Sequence, residues 1–213
     1  MADLVHLLRE PAGEPAGVLI LNHGRATDER DLYPLLDELD PERRLLGVTT
    51  GAPLTGISPG GRHWYVVPRV GYPDPETFAS SYALLTEFCD ELIAEHGIGW
   101  DRTAIGGFSM GAVMSYAVGL GLGRPSPATI LAFSGFVPTV EGWEPELERR
   151  RGLPLLIHHG RADPIIPVEF GRAARDLLAP AGLAVDYIET DAPHALPREP
   201  VDRAMALIRE TIP

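Results

Sequence analysis

The sequence predicts an α/β fold, a mainly parallel central sheet covered by helices on both faces, and three observations carry that expectation. Apolar runs such as Gly17–Asn22, Ala104–Phe108 and Ala128–Phe133 are short and do not alternate, as expected of strands buried on both faces. Segments with apolar residues at helical spacing fall between them, and that alternation implies β-α-β crossovers. At 213 residues, with 45% hydrophobic and 23% charged residues, the chain suits one sizeable core, so residues 1–213 read as a single domain without repeat or linker.

In order, Leu4–Leu8 reads as a short edge strand and Pro11–Pro15 as a turn. Gly17–Asn22 is a buried strand that ends in His23-Gly24-Arg25. Asp31–Leu39 puts Leu32, Leu35, Leu36 and Leu39 on one helical face, and Asp40-Pro41 stops it. Arg44–Thr49 is the next strand. Thr50–Glu76, dense in Gly and Pro around Trp64, Tyr65, Val66 and Val67, reads as a long loop. Thr77–His96 carries Phe78, Tyr82, Leu85, Phe88, Leu92 and Ile93 on one face and closes at Gly97, the strongest helical pattern in the chain. Thr103–Phe108 is a strand, and Ala112, Val113, Ala117 and Val118 recur at helical spacing directly after it. Ala128–Phe133 is a further strand, and Val140–Arg151 a charged connection expected to face solvent. Leu153–His158 is a strand, Val168–Leu178 a helix, Ala184–Glu189 the last strand and Arg198–Ile212 a terminal helix.

Composition excludes several function classes. A net charge of −12 argues against a nucleic-acid partner or an anionic membrane surface, both of which call for a basic patch. All 18 basic residues are arginines, and a chain without lysine has no Schiff-base, pyridoxal or P-loop lysine. The single Cys89 cannot form an internal disulfide and, beside Phe88 on a helical face, reads as core filler. His158 and His159 point to opposite faces of a strand and are poor co-ligands, so no metal and no cofactor are expected. The amino terminus has an early acid and neither a basic segment nor a long apolar one, and no apolar run reaches spanning length. A cytoplasmic protein is the expectation, with the oligomeric state open and a homodimer among the choices.

The chemistry is expected at the carboxyl ends of the strands. Gly107-Phe-Ser109-Met-Gly111 has the G-x-S-x-G form in which a strand turns sharply into a helix and pushes a serine hydroxyl into the open. The plainer reading is a serine that N-caps the helix. A serine hydroxyl needs a histidine to take its proton, and that imidazole needs a carboxylate to hold its tautomer. Asp163, after Leu153–His158, and His194, after Ala184–Glu189, supply those roles in the order Ser, Asp, His. Asp191 is the rival acid, expected to face water, and His23 is expected to pack behind the site.

These residues carry a resemblance. His23-Gly24, Asp28–Leu32, Gly107–Gly111, the Gly160…Asp163-Pro164…Pro167 loop and His194 together resemble the phospholipase/carboxylesterase family of α/β-hydrolases over nearly the whole chain. The resemblance implies an α/β-hydrolase fold, a Ser109–His194–Asp163 triad and an oxyanion hole made by the backbone N–H groups of Arg25 and Met110. It implies a small-molecule ester as substrate, with a thioester or lysophospholipid as the alternative. Relatives commonly have His-Gly-Leu-Gly where this chain has His23-Gly24-Arg25-Ala26, and Gln where it has Met110, so the backbone donors carry over and the side chains do not. Arg25 itself is either a solvated rim residue or a contact for an acidic substrate. A ligand-binding protein that keeps the fold without turnover is the reading from another class. Neither Thr50–Glu76 nor Ser134–Arg151 is long enough for a lid domain, and Trp64, Tyr65 and Phe136 are the candidate walls of a shallow cleft suited to short or medium acyl chains.

Overall fold

Seven strands form one sheet in the computed structural model, which describes residues 4–213. They are β1 (His6–Arg9), β2 (Gly17–Asn22), β3 (Leu45–Thr50), β4 (Thr103–Phe108), β5 (Thr129–Phe133), β6 (Pro154–Gly160) and β7 (Ala184–Thr190). Their spatial order is β1-β3-β2-β4-β5-β6-β7, with β1 antiparallel to β3 and every other pair parallel. The helices are α1 (Tyr33–Leu39), α2 (Pro75–Glu95), α3 (Met110–Leu120), α4 (Glu169–Leu178) and α5 (Arg198–Thr211). Leu36 and Leu39 of α1 meet Val201 and Ile208 of α5 over Leu19, Leu21 and Phe133 on one face. Phe78, Leu85 and Phe88 of α2, the whole of α3 and Ala174 and Leu178 of α4 fill the other. The chain runs outward from β2 to β3 and then crosses back to β4 on the other side of β2. That reversal opens a crevice at the carboxyl ends of β2 and β4.

Several boundaries differ from expectation for physical reasons. The first strand is His6–Arg9 rather than Leu4–Leu8, and Arg9 is buried because its guanidinium meets the Asp40 carboxylate at 2.5 Å and donates to the carbonyls of Leu36 and Leu45. The helix expected from Asp31 begins at Tyr33, and the Asp31 carboxylate instead accepts from Thr27 Oγ1 at 3.1 Å. Helix α2 begins two residues early, with Pro75 in its first turn and Asp74 accepting the Thr77 N–H at 3.0 Å. The Val140–Arg151 connection is solvated only in part. Trp143 is buried and donates to Ala117 O, and Arg150 is buried with Nε on Gly119 O at 2.9 Å and Nη2 on Arg124 O at 2.8 Å. Carbonyls at and just beyond the end of α3 lack intrahelical donors and carry partial negative charge, which is what draws the arginine in. Among the described residues no helix is long and apolar enough to cross a membrane.

Candidate active site

Strand β4 turns into α3 at Ser109, whose φ of 56° and ψ of −118° are strained for any residue with a side chain. Its N–H donates to Phe133 O at 2.8 Å, which anchors the corner to β5. A Cβ at Gly111 would lie 1.9 Å from Asn22 O, and one at Gly107 would lie 2.5 Å from the same atom. Only glycine at both positions lets β2, β4 and α3 converge this closely.

Two further loops reach the corner. Asp163 follows β6 and His194 follows β7, and the structure brings both to Ser109. His194 Nε2 lies 2.9 Å from Ser109 Oγ, and His194 Nδ1 lies 2.6 Å from Asp163 Oδ2. The other carboxylate oxygen accepts the N–H groups of Ile165 and Ile166 at 2.8 and 2.9 Å. Burial alone would raise the Asp163 pKa, but the His194 hydrogen bond and those two amides outweigh it and hold the carboxyl below its ordinary range. Beneath the loop, His159 is kept neutral by burial, and its Nε2–H donates to Ile166 O at 2.8 Å. His158, on the opposite face, is pushed down to about 4 by burial and bonds Thr190 Oγ1 at 3.0 Å. Asp191 points away from His194 into solvent and pairs with Arg161 at 2.5 Å.

Among the described residues, no protein acceptor takes the N–H of Arg25 or of Met110. The loop that carries Arg25 is held rigid from several sides. Ala52 N–H donates to His23 Nε2 at 2.9 Å, so the His23 proton sits on Nδ1, which donates to Gly24 O at 2.6 Å. Burial lowers the His23 pKa and keeps that neutral tautomer. Trp64 Nε1 donates to His23 O at 3.0 Å, and Ala26 N–H to Arg62 O at 3.0 Å.

A half-open cleft of about 440 Å³ lies over Ser109, and Tyr65 and Phe136 line it together with Val67, Phe108 and Ile166. Trp64 does not. It is fully buried, its N–H donates to Met110 Sδ at 3.1 Å, and its indole braces the His23 carbonyl. Tyr65, the next residue, is on the cleft side instead. Ile165, Ile166, Arg69 and Tyr72 line the cleft without having been anticipated. For the two isoleucines the signal was their position directly after Asp163-Pro164. Among the described residues, no group of three or more His, Cys, Asp or Glu side chains is placed to hold a metal ion.

Comparisons with known proteins bear on the family and the fold. The family model described as Phospholipase/Carboxylesterase matches residues 8–212. An acyl-protein thioesterase 1 of Debaryomyces hansenii is 32% identical over 145 residues, 63% of this chain and 62% of that protein. Its counterpart in Gibberella zeae is 30% identical over 56% of this chain and 52% of its own length, so the chain spans about half to three fifths of these two relatives. Esterase YpfH of Escherichia coli is 30% identical over 79% of this chain and 71% of its own length. Among solved structures, esterase PE8 superposes with a TM-score of 0.83 at 26% identity, over 98% of this chain and 99% of that one.

Proposed function

The chain belongs to the phospholipase/carboxylesterase family, and from that membership we propose that it hydrolyses carboxylic esters of short to medium acyl chains through an acyl-enzyme on Ser109. The observation that carries the reading is the unbroken hydrogen-bond chain Asp163–His194–Ser109 on the floor of a cleft. In that reading His194 Nε2 takes the Ser109 hydroxyl proton as Oγ bonds to the substrate carbonyl carbon, and Asp163 stabilises the imidazolium without accepting its proton. The carbonyl oxygen, now an oxyanion, receives the Arg25 and Met110 N–H groups, one of them at the positive end of α3. Collapse breaks the bond to the alcohol, which leaves with the proton from His194. Water then repeats the sequence on the acyl-enzyme and releases the acid.

A thioester in place of the ester is the second reading, favoured by the identity to acyl-protein thioesterases. The same residues serve it, since only the leaving atom changes. The short-chain preference follows from the half-open cleft, over which the described residues form no lid. Each buried methylene contributes about 0.8 kcal/mol, and a half-open cleft stops adding them early. A cytoplasmic setting belongs to the same proposal, since the one cysteine, Cys89, is a buried free thiol and the fold relies on no disulfide.

Fluorophosphonate labelling and a panel of esters and thioesters of increasing acyl length test the reading. The expected result is a covalent adduct on Ser109 and kcat/KM that plateaus with chain length. An unlabelled Ser109, the behaviour of a mere binding protein, would overturn it. Efficiency still climbing beyond about ten carbons would overturn the acyl-length part, since it requires a deep tunnel.

A further inference from the structure

In an acidic protein most arginines find acids. Among the described residues, twelve of the 18 have a carboxylate within 4 Å. Arg44, Arg102 and Arg150 are instead taken up by backbone carbonyls. Of the three that remain, Arg25 and Arg69 both line the cleft over Ser109. Arg25 reaches only Ser58 O, at the outer limit of 3.5 Å. Arg69 lies flat on Tyr72, 3.6 Å from the ring centroid, a stacking that orients the planar group and leaves its edge N–H donors unused.

A third donor faces the same space. Tyr65 is 3% exposed, yet its hydroxyl makes no hydrogen bond within the described residues and is not sealed inside the protein, so it opens on the cleft it lines. Burial raises its pKa, so the phenol stays protonated and donates. A phenol that faces the cleft with no protein acceptor is free to donate to a ligand bound there. Among the described residues the one acid in the wall is Asp31, which is engaged by Thr27 and stands more than 4 Å from both guanidinium groups. The side chains that lack a protein partner here are therefore donors, and two of them are cations.

We propose that the cleft selects esters bearing a second, ionised oxygen acid, a carboxylate or phosphate remote from the scissile bond, which Arg25, Arg69 and Tyr65 receive. This rests on the ester-hydrolase reading and names its substrate class. Apolar walls formed by Val67, Phe136 and Ile166 hold the methylene spacer, while the donors accept only a ligand whose far end supplies lone pairs. Sites built this way discriminate strongly against the analogue that lacks the matching group.

The test compares monoethyl glutarate with ethyl valerate, in which a methyl replaces the carboxylate, by pH-stat at pH 8. The ratio of their kcat/KM values should favour the acidic ester in the wild type. It should fall about tenfold in Arg69→Ala and in Arg25→Ala, fall less in Tyr65→Phe, recover in part in Arg69→Lys and rise in Asp31→Asn. High salt should lower it, as expected of partly exposed charges. Stronger inhibition of ethyl valerate turnover by glutarate than by propyl phosphate assigns the subsite to a carboxylate, and the reverse order to a phosphate. A ratio that none of these substitutions moves overturns the proposal. If the wild type hydrolyses neither ester, the ester-hydrolase reading fails, and calorimetry with glutarate then decides the subsite alone. Binding weakened by Arg69→Ala sustains it, and no binding overturns it.

Discussion

His158 should make the protein acid-labile, by an amount that follows from its burial. The ring is wholly enclosed on β6 and its pKa falls from 6.5 to about 4. Below 6.5 the unfolded chain binds a proton that the folded one refuses, so stability falls as the pH drops through 6.5 and stops falling near 4. At 1.36 kcal/mol per pKa unit, the loss between pH 7.5 and pH 5 is about 2 kcal/mol, roughly 4–8 °C in Tm for a chain of this size. Urea unfolding at both pH values, for the wild type and for His158→Gln, isolates the term. Gln keeps a partner for Thr190 Oγ1 but does not titrate, while His23 and His159, also lowered by burial, are present in both proteins and cancel. The wild type should lose about 2 kcal/mol more than the variant on acidification. Parallel losses in the two proteins would show that His158 does not stay neutral in the fold. Thr190 ends the strand from which the His194 loop leaves, so the same titration should loosen that loop, with activity declining together with the fold at pH 5.

Ser109→Ala should reduce ester turnover by at least about a thousandfold while leaving the melting curve intact, because the hydroxyl contributes little packing. Asp163→Asn should cost orders of magnitude in kcat by favouring the wrong imidazole tautomer, whereas Asp191→Asn should change kcat little; the reverse order in steady-state kinetics would make Asp191 the acid. Gly111→Ala should destabilise by about 3 kcal/mol or prevent folding, as judged by denaturant midpoint, since its methyl would overlap the Asn22 carbonyl. Trp64→Phe should lower kcat about tenfold with KM nearly unchanged, because the indole donor that braces the His23 carbonyl, and through it the Arg25 N–H, is lost.

The parts of the site that could be read from the chain are those tied to a strand end. Ser109, Asp163 and His194 each follow a strand, and a parallel sheet carries all such ends to one edge however far apart they stand in sequence. The serine and histidine are 85 residues apart in sequence, yet His194 Nε2 and Ser109 Oγ lie 2.9 Å from each other. The fold class was legible for the same reason, since burial on both faces leaves its mark as uninterrupted apolar runs. What could not be read depends on contacts with no local period. Trp64 and Tyr65 look equivalent in sequence, and which one faces the cleft is decided by the His23 carbonyl, which takes the Trp64 indole N–H. Arg150 looks like a surface residue because charge normally stays in water, and only the exposed carbonyls past α3 make its burial favourable. Arg25 joins the two cases. Its backbone follows a strand end, where the family resemblance implies an oxyanion donor, while its side chain acquires meaning only beside Arg69 and Tyr65, which reach the cleft from a loop without period. Substrate choice therefore resides in the least legible part of the chain, because it is set by which side chains the folded cleft leaves without partners.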